Sequence, residues 1–354
     1  MRNFAIFFLF FFVLAASAWG QFQANLQPLG LEARIDNNVF RSVSDASRLS
    51  DEINTWTGGM GLRYRSGDFQ ISGDYSLDAD IYGFYSELDN FIHDFNFSLS
   101  QGVGPFIFRY ANDSFFRSSA YDEFDYFDEA NTLGIDYRPN AKWDLAGTYE
   151  FLAREYYGNA DAVASRNFTD DGVGVSAQRN WTESFSAKLN LKWTNRQFNR
   201  YAVAVSNSGL VSAMSFLQND QTFYADLGFH LYFLNVLQNI HLTAARTNSN
   251  SYGFSNSVES ASWAGVLSPV HNFYLELFFR FYEKDYDYQP LAVPDLQLGF
   301  TNDDGQDLLA LKGTWEWSPG WTASLGMSRV KNESATPAEY YIKDMISAQV
   351  RRAF

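Results

Sequence analysis

Between Thr55 and Asp78, apolar and polar residues take turns with a period of two. Trp56, Gly58, Met60, Leu62 and Tyr64 alternate with Thr57, Gly59, Gly61, Arg63 and Arg65. After Ser66-Gly67-Asp68 the pattern resumes, with Phe69, Ile71, Gly73, Tyr75 and Leu77 set against Gln70, Ser72, Asp74, Ser76 and Asp78. Successive strand residues point to opposite faces, so the stretch predicts a β-hairpin with one apolar and one charged face. Two destinations suit the apolar face: a second sheet, as in a sandwich, or lipid, as in a barrel with a wet lumen.

The same period recurs along the chain. Phe91–Leu99 and Phe106–Tyr110 flank Gln101–Gly104, Leu133–Tyr137 and Trp143–Phe151 flank Pro139–Lys142, and Val173–Ala177 and Phe185–Trp193 flank Asn180–Ser184. Phe223–Leu231 and Ile240–Ala244 meet at Leu234-Asn235, Ala261–Leu267 and Phe273–Phe281 at Ser268-Pro269, and Leu309–Trp317 and Trp321–Met327 at Ser318–Gly320. A first strand is expected over Leu31–Phe40, after a lead-in at residues 21–31, and a last one over Tyr340–Phe354. That makes about sixteen strands (roughly 14–18).

Every second connection is a tight turn, and those between are mostly long and polar. The long ones are Arg41–Asn54, Asp80–Asp89, an acidic stretch up to Ala130, Ala153–Asp170 and Lys284–Asp307. Gln197–Gln221 has two readings, a hairpin tip standing above the membrane or a loop folded into the lumen as a constriction. Short turns at one end and long loops at the other are the asymmetry of an outer-membrane barrel, and Greek-key crossovers would break it. The chain therefore reads as all-β, a transmembrane antiparallel up-and-down β-barrel.

Aromatic residues make up 18% of the chain, more than an ordinary core needs. Trp56, Tyr64, Phe69, Trp143, Trp193, Trp315, Trp317 and Trp321 end the apolar rows where membrane girdles belong. Residues 1–20 read as a signal peptide, with Arg2, the apolar run Phe4–Leu14 and a small-residue cleavage site within Ala16–Gly20. This leaves residues 21–354 as one barrel domain. The absence of cysteine excludes disulfides and a lipid-modified N-terminus. With 26 basic against 41 acidic side chains and a net charge of -15, a nucleic-acid partner is excluded as well. Phe354, in phase with Ile346, Ala348 and Val350, reads as the assembly signal taken up by the barrel insertion machinery. Arg352 is unusual in that row, and its stem can snorkel. The expected location is the outer membrane of a diderm bacterium, reached by the general secretory route, among outer-membrane lipid and lipopolysaccharide.

Ile35-Asp36-Asn37-Asn38-Val39-Phe40-Arg41 resembles the opening of a family of bacterial β-barrel porins found with exopolysaccharide-export genes. That family begins with an acidic-Asn-Val-aromatic segment and continues in hairpins like Thr55–Asp78. The resemblance implies an outer-membrane channel or secretion barrel, and it carries no catalytic residues over.

The polar rows hold both signs of charge: Arg63, Arg65, Asp74, Asp94, Arg109, Asp136, Glu150, Lys188, Lys192, Asp226, Glu276, Arg280, Lys312, Glu316, Lys343 and Arg351. They are candidate pore-lining residues whose opposed charges set a transverse field. The competing reading is a lumen locked by salt bridges in a protein that conducts nothing. Tyr121–Glu129 mixes five carboxylates with four rings and reads as a solvated acidic loop, with cation or sugar binding as the alternative. Asp303–Asp307 lacks the spaced ligands of a calcium loop, and no His-x-x-x-His pair exists among His93, His230, His241 and His271, so no metal site is expected. Asp226 is expected near His230, with His241 on the next strand, as lumen polar lining rather than a hydrolase site. Gly58-Gly59-Met60-Gly61 precedes no helix, so it is no phosphate loop.

No enzymatic activity and no cofactor are expected. The leading reading is a porin-like channel that passes small hydrophilic solutes or exports a polysaccharide, with a homo-oligomer as a possible assembly. The alternative is a non-conducting surface adhesin or structural barrel acting through its long acidic loops.

Overall fold

The computed structural model describes residues 21–37, 49–119, 125–157, 166–206, 211–233, 235–287, 306–332 and 341–352. The expected signal peptide, Tyr121–Phe124, the tip at residues 207–210, Asp303–Gly305 and Phe354 lie outside them. The described chain forms sixteen antiparallel strands. The first eight are β1 (Gln21–Asp36), β2 (Asp51–Ser66), β3 (Phe69–Tyr82), β4 (Asn90–Val103), β5 (Phe106–Ser119), β6 (Tyr126–Asn140), β7 (Trp143–Tyr156) and β8 (Phe168–Thr182). The rest are β9 (Phe185–Val205), β10 (Val211–Phe233), β11 (Val236–Ser249), β12 (Asn256–Val270), β13 (Phe273–Tyr286), β14 (Gln306–Ser318), β15 (Trp321–Asn332) and β16 (Tyr341–Arg352). Each strand pairs with its sequence neighbours, and β1 closes on β16. The sheet has no free edge, which is what hydrocarbon demands of backbone N–H and C=O groups.

Alternate connections are two-residue turns, from Gly67-Asp68 to Pro319-Gly320. Five of these turns carry a residue in the left-handed region: Gly67 (φ 58), Gly104 (φ 60), Asn235 (φ 61), Asn272 (φ 63) and Gly320 (φ 78). Gly and Asn are the residue types that adopt it at little cost. Gln21 and Arg352 lie at this short-turn end.

The alternation sorts the side chains as the sequence predicts. Phe279 (46%), Trp315 (55%) and Leu325 (64%) are exposed on the outer face, while Arg280, Glu316 and Ser324 occupy the opposite parity. Trp56, Trp143, Trp193 and Trp317 are exposed too, and Trp317 stacks on Trp321 at 5.9 Å. Tyr64 departs from an exposed girdle position: it is only 9% exposed and packs edge-on to Phe69 at 6.5 Å. Trp181, which the sequence reading passed over, adds to the short-turn belt by stacking on Phe185 at 4.9 Å. Arg352 lies 5.2 Å from the Trp321 ring.

Two expectations need correction. Residues 21–31 are no lead-in, because β1 starts at Gln21 and pairs with β2 along its length. The ladder shifts register between Gln27 and Gly30, around Pro28, which has no N–H to give. The shift moves the outward phase from Phe22 to Leu29, Leu31 and Ile35, so the strand's alternation looked weak. Second, the acidic stretch before Ala130 is largely strand, and the two ends of Ala153–Asp170 are strand as well, since β5 runs to Ser119, β6 starts at Tyr126, β7 ends at Tyr156 and β8 starts at Phe168. Above the apolar band both faces mix polar and aromatic residues, so the contrast fades while the ladder continues. Gln197–Gln221 follows the first of its two readings, a hairpin, with Val211 paired to Val205 and register shifts at Ala213, Leu217 and Asn219.

Candidate functional site

The strand parity that exposes the aromatics puts every candidate pore residue on the other face. That face is concave, because a recess of about 380 Å³ gathers side chains from β5 through β10, including Arg109, Asp136, Glu150, Lys188, Lys192 and Asp226. Arg63, Arg65, Asp74, Asp94, Glu276, Arg280, Lys312, Glu316, Lys343 and Arg351 share the inner parity elsewhere around the ring.

Many of these charges lie along the wall rather than pointing into the bore. Arg109 Nη2 bonds Asp136 Oδ1 after passing Gly134, whose absent Cβ would sit 3.6 Å from the Arg109 Nε. Lys192 on β9 donates to Glu150 on β7 at 2.5 Å, reaching across β8. The reach is possible because β8 presents glycine there: Glu150 is opposite Gly172, and Lys192 is opposite Gly174. A Cβ on Gly172 would meet Lys192 Cε at 3.3 Å, and one on Gly174 would meet Thr148 Oγ1 at 2.7 Å. Such glycines act by close approach, leaving a berth in which a long side chain lies flat. Gly174→Ala is therefore expected to lower the urea midpoint in lipid vesicles, by about 1–3 kcal/mol of overpacking. Gly147→Ala, with nothing within 4 Å of its Cβ, should leave it unchanged.

Asp226 is the hub of a smaller network. It accepts from Asn190 Nδ2 at 3.0 Å and Thr243 Oγ1 at 3.1 Å, and its Oδ1 lies 3.3 Å from His241 Nδ1. The expected neighbour was His230, which instead bonds Asn239 at 2.5 Å, because the two histidines face the lumen at different heights. The His241 ring leans over Gly228 toward β10, whereas Ser262, its partner on β12, is on the opposite side. His93 is on the outer face, 3.0 Å from the Tyr75 hydroxyl. Among the described residues no group of three or more His, Asp or Glu is placed to hold a metal ion.

The long-loop end of the inner wall holds a cluster that the sequence reading missed. Arg154 makes two 2.6 Å bonds to Asp128 and lies over the Tyr126 ring at 4.5 Å and the Phe168 ring at 5.5 Å. Arg196 bonds Asp170 at 3.0 Å and covers Phe168 from the other side at 4.3 Å. Arg200 continues the row over Phe198 and Phe254 and donates to Gln218 at 2.8 Å. Arg200 lies where β9 has outgrown its neighbours, beyond the membrane span; burial lowers its guanidinium to about 10 and raises the Asp220 carboxyl. A usable signal was present, since Arg196, Phe198 and Arg200 keep the phase of Lys192.

No known protein family matches this chain by sequence, and no curated protein does. Solved structures do match by shape. OmpT, an outer membrane protein of Vibrio cholerae, superposes with a TM-score of 0.54 at 6% identity over 96% of this chain and 98% of that one. The anion-selective porin from Comamonas acidovorans superposes with a TM-score of 0.54 at 11% identity over 95% of this chain and 100% of that one. The chain thus has the fold of the bacterial outer-membrane β-barrels.

Proposed function

We propose that the protein is an outer-membrane channel, exported by the general secretory route, whose inner wall passes hydrophilic solutes or a polysaccharide strand. One observation carries the reading: among the described residues no strand or helix packs across the bore, and Arg109 and Lys192 lie along the wall beside glycines of the neighbouring strands. Sixteen strands enclose a lumen wider than side chains alone fill. The shared fold with a porin is consistent with this. A second reading, a surface-binding barrel, draws on the β9–β10 extension, where no charge occurs between Arg200 and Asp220 and Tyr201, Val211 and Phe216 are exposed.

Purified protein in a planar bilayer is expected to give stepwise single-channel currents. Replacing Arg63, Arg65 and Arg109 with glutamine should shift the reversal potential toward cation preference, because Asp136 then loses its counter-charge. An electrically silent membrane would overturn the channel reading, and an unchanged reversal potential would remove these arginines from the conducting path.

A further inference from the structure

Among the described strands, β13 alone turns rings into the bore from one end of the barrel to the other. Its inward positions hold Tyr274, Phe278, Tyr282 and Tyr286, from two residues past the Asn272 turn up to the long-loop end. No other described strand has more than two inward aromatic residues. Strand residues rise about 3.4 Å each and barrel strands tilt by roughly 40°, so successive rungs stand about 14 Å apart along the strand and about 10 Å apart along the bore. Glu276, Arg280 and Lys284 fall between the rungs.

The neighbouring strands leave the lower rings bare. Phe278 lies between Ala264 on β12 and Ala310 on β14, both too short to cover its faces. Ser260 and Ser262 continue the run of small inward residues beside Tyr282 and Arg280. Tyr274 is 40% exposed, and Phe278 is half-buried. Inward rings elsewhere are capped: Phe168 is 8% exposed beneath Arg154 and Arg196. On β13 itself Lys284 lies 4.9 Å from the Tyr286 ring, but among the described residues no cation lies over Tyr274 or Phe278.

A phenyl ring has no polar atom, and left bare in a wet bore it forgoes about 25 cal/mol for each Å² it could bury. A molecule that covers it recovers that energy. Such a molecule must be hydrophilic enough to pass the charged wall, yet offer flat apolar faces at intervals that match the rungs. A chain of pyranose rings meets both conditions. Its axial C–H groups form an apolar face that is attracted to the negative face of an aromatic ring, its hydroxyls point sideways to hydrogen-bonding groups, and a disaccharide unit is comparable in length to one interval. We propose that the inner face of β13 is a stacking track for a linear glycan, with Tyr274 and Phe278 taking the sugar faces and Glu276 and Arg280 the hydroxyls. For passage this rests on the channel reading; for binding it does not.

Isothermal titration calorimetry of the full-length barrel in detergent micelles, with maltohexaose and cellohexaose as probes, reads binding apart from conduction. At least one of the two is expected to bind. Phe278→Leu keeps the bulk without the ring and should weaken that binding about two- to tenfold, the range of one aromatic contact. Phe278→Tyr should bind as the parent does, and so should Phe279→Leu, one residue on and facing lipid. Heat-dependent gel mobility reports folding, and Tyr274→Leu gives the same readout should Phe278→Leu not fold. The proposal fails if neither hexasaccharide binds, if removing the ring leaves binding unchanged, or if Phe279→Leu weakens it equally. In a planar bilayer the bound hexasaccharide should interrupt the current, in shorter events for Phe278→Leu. A silent bilayer with ring-dependent binding would overturn the channel and leave the track, whereas open currents without binding would overturn the track and leave the channel.

Discussion

Replacing Leu325 with arginine is expected to lower the stability of the folded barrel by about 2–4 kcal/mol, the cost of a cation on the lipid face near the bilayer midplane. Leu325 is 64% exposed, yet it is exposed to hydrocarbon rather than water. Its chain neighbour Ser324 faces inward, where its hydroxyl pairs with Thr314 at 3.1 Å, and Ser324→Arg should stay within about 1 kcal/mol. Urea unfolding in lipid vesicles, followed by tryptophan fluorescence, separates the two. Equal costs would mean that the outer rows do not meet lipid, and the assignment of inside and outside would fall.

The second large effect belongs to Arg154. Its side chain is 28% exposed and that of Asp128 16%, so Arg154→Met leaves a poorly solvated carboxylate without its cation and strips the cover from two rings. The expected loss is about 2–3 kcal/mol, below the range for fully buried pairs. Adding Asp128→Leu should restore most of it, because the penalty comes from the unpaired charge rather than from lost attraction. A double variant as unstable as the single one would show that the attraction itself, or the ring contact, sets the value.

How much of this was legible in the sequence depended on contrast between the two faces. In Thr55–Asp78 one face meets lipid and the other water, and the predicted hairpin matches the ladder from Ile53 and Tyr82 down to Ser66 and Phe69. The inward parity of Arg109, Lys192 and Arg280 followed from the same alternation. Where both faces mix polar and aromatic residues, as at Asp125–Glu129 and Arg154–Tyr157, nothing in the pattern separates strand from loop. A register shift hides a strand differently, as in β1, where each half alternates cleanly and the whole does not. Pairing was beyond the sequence altogether. That Lys192 meets Glu150 across an intervening strand depends on Gly172 and Gly174 lying between them, and that His241 rather than His230 reaches Asp226 depends on register.

The irregularity in β1 also bears on how the ring holds together. Only Leu29–Asp36, the half beyond the shift, pairs with β16, whereas β2 and β3 pair from Ile53 to Ser66. The seam between the first and last strands is thus one of the two shortest, level with β13 on β14, and among the described residues the first half of β1 hangs from β2 alone. With fewer ladder bonds to hold it, such a line is where the cylinder is expected to open first.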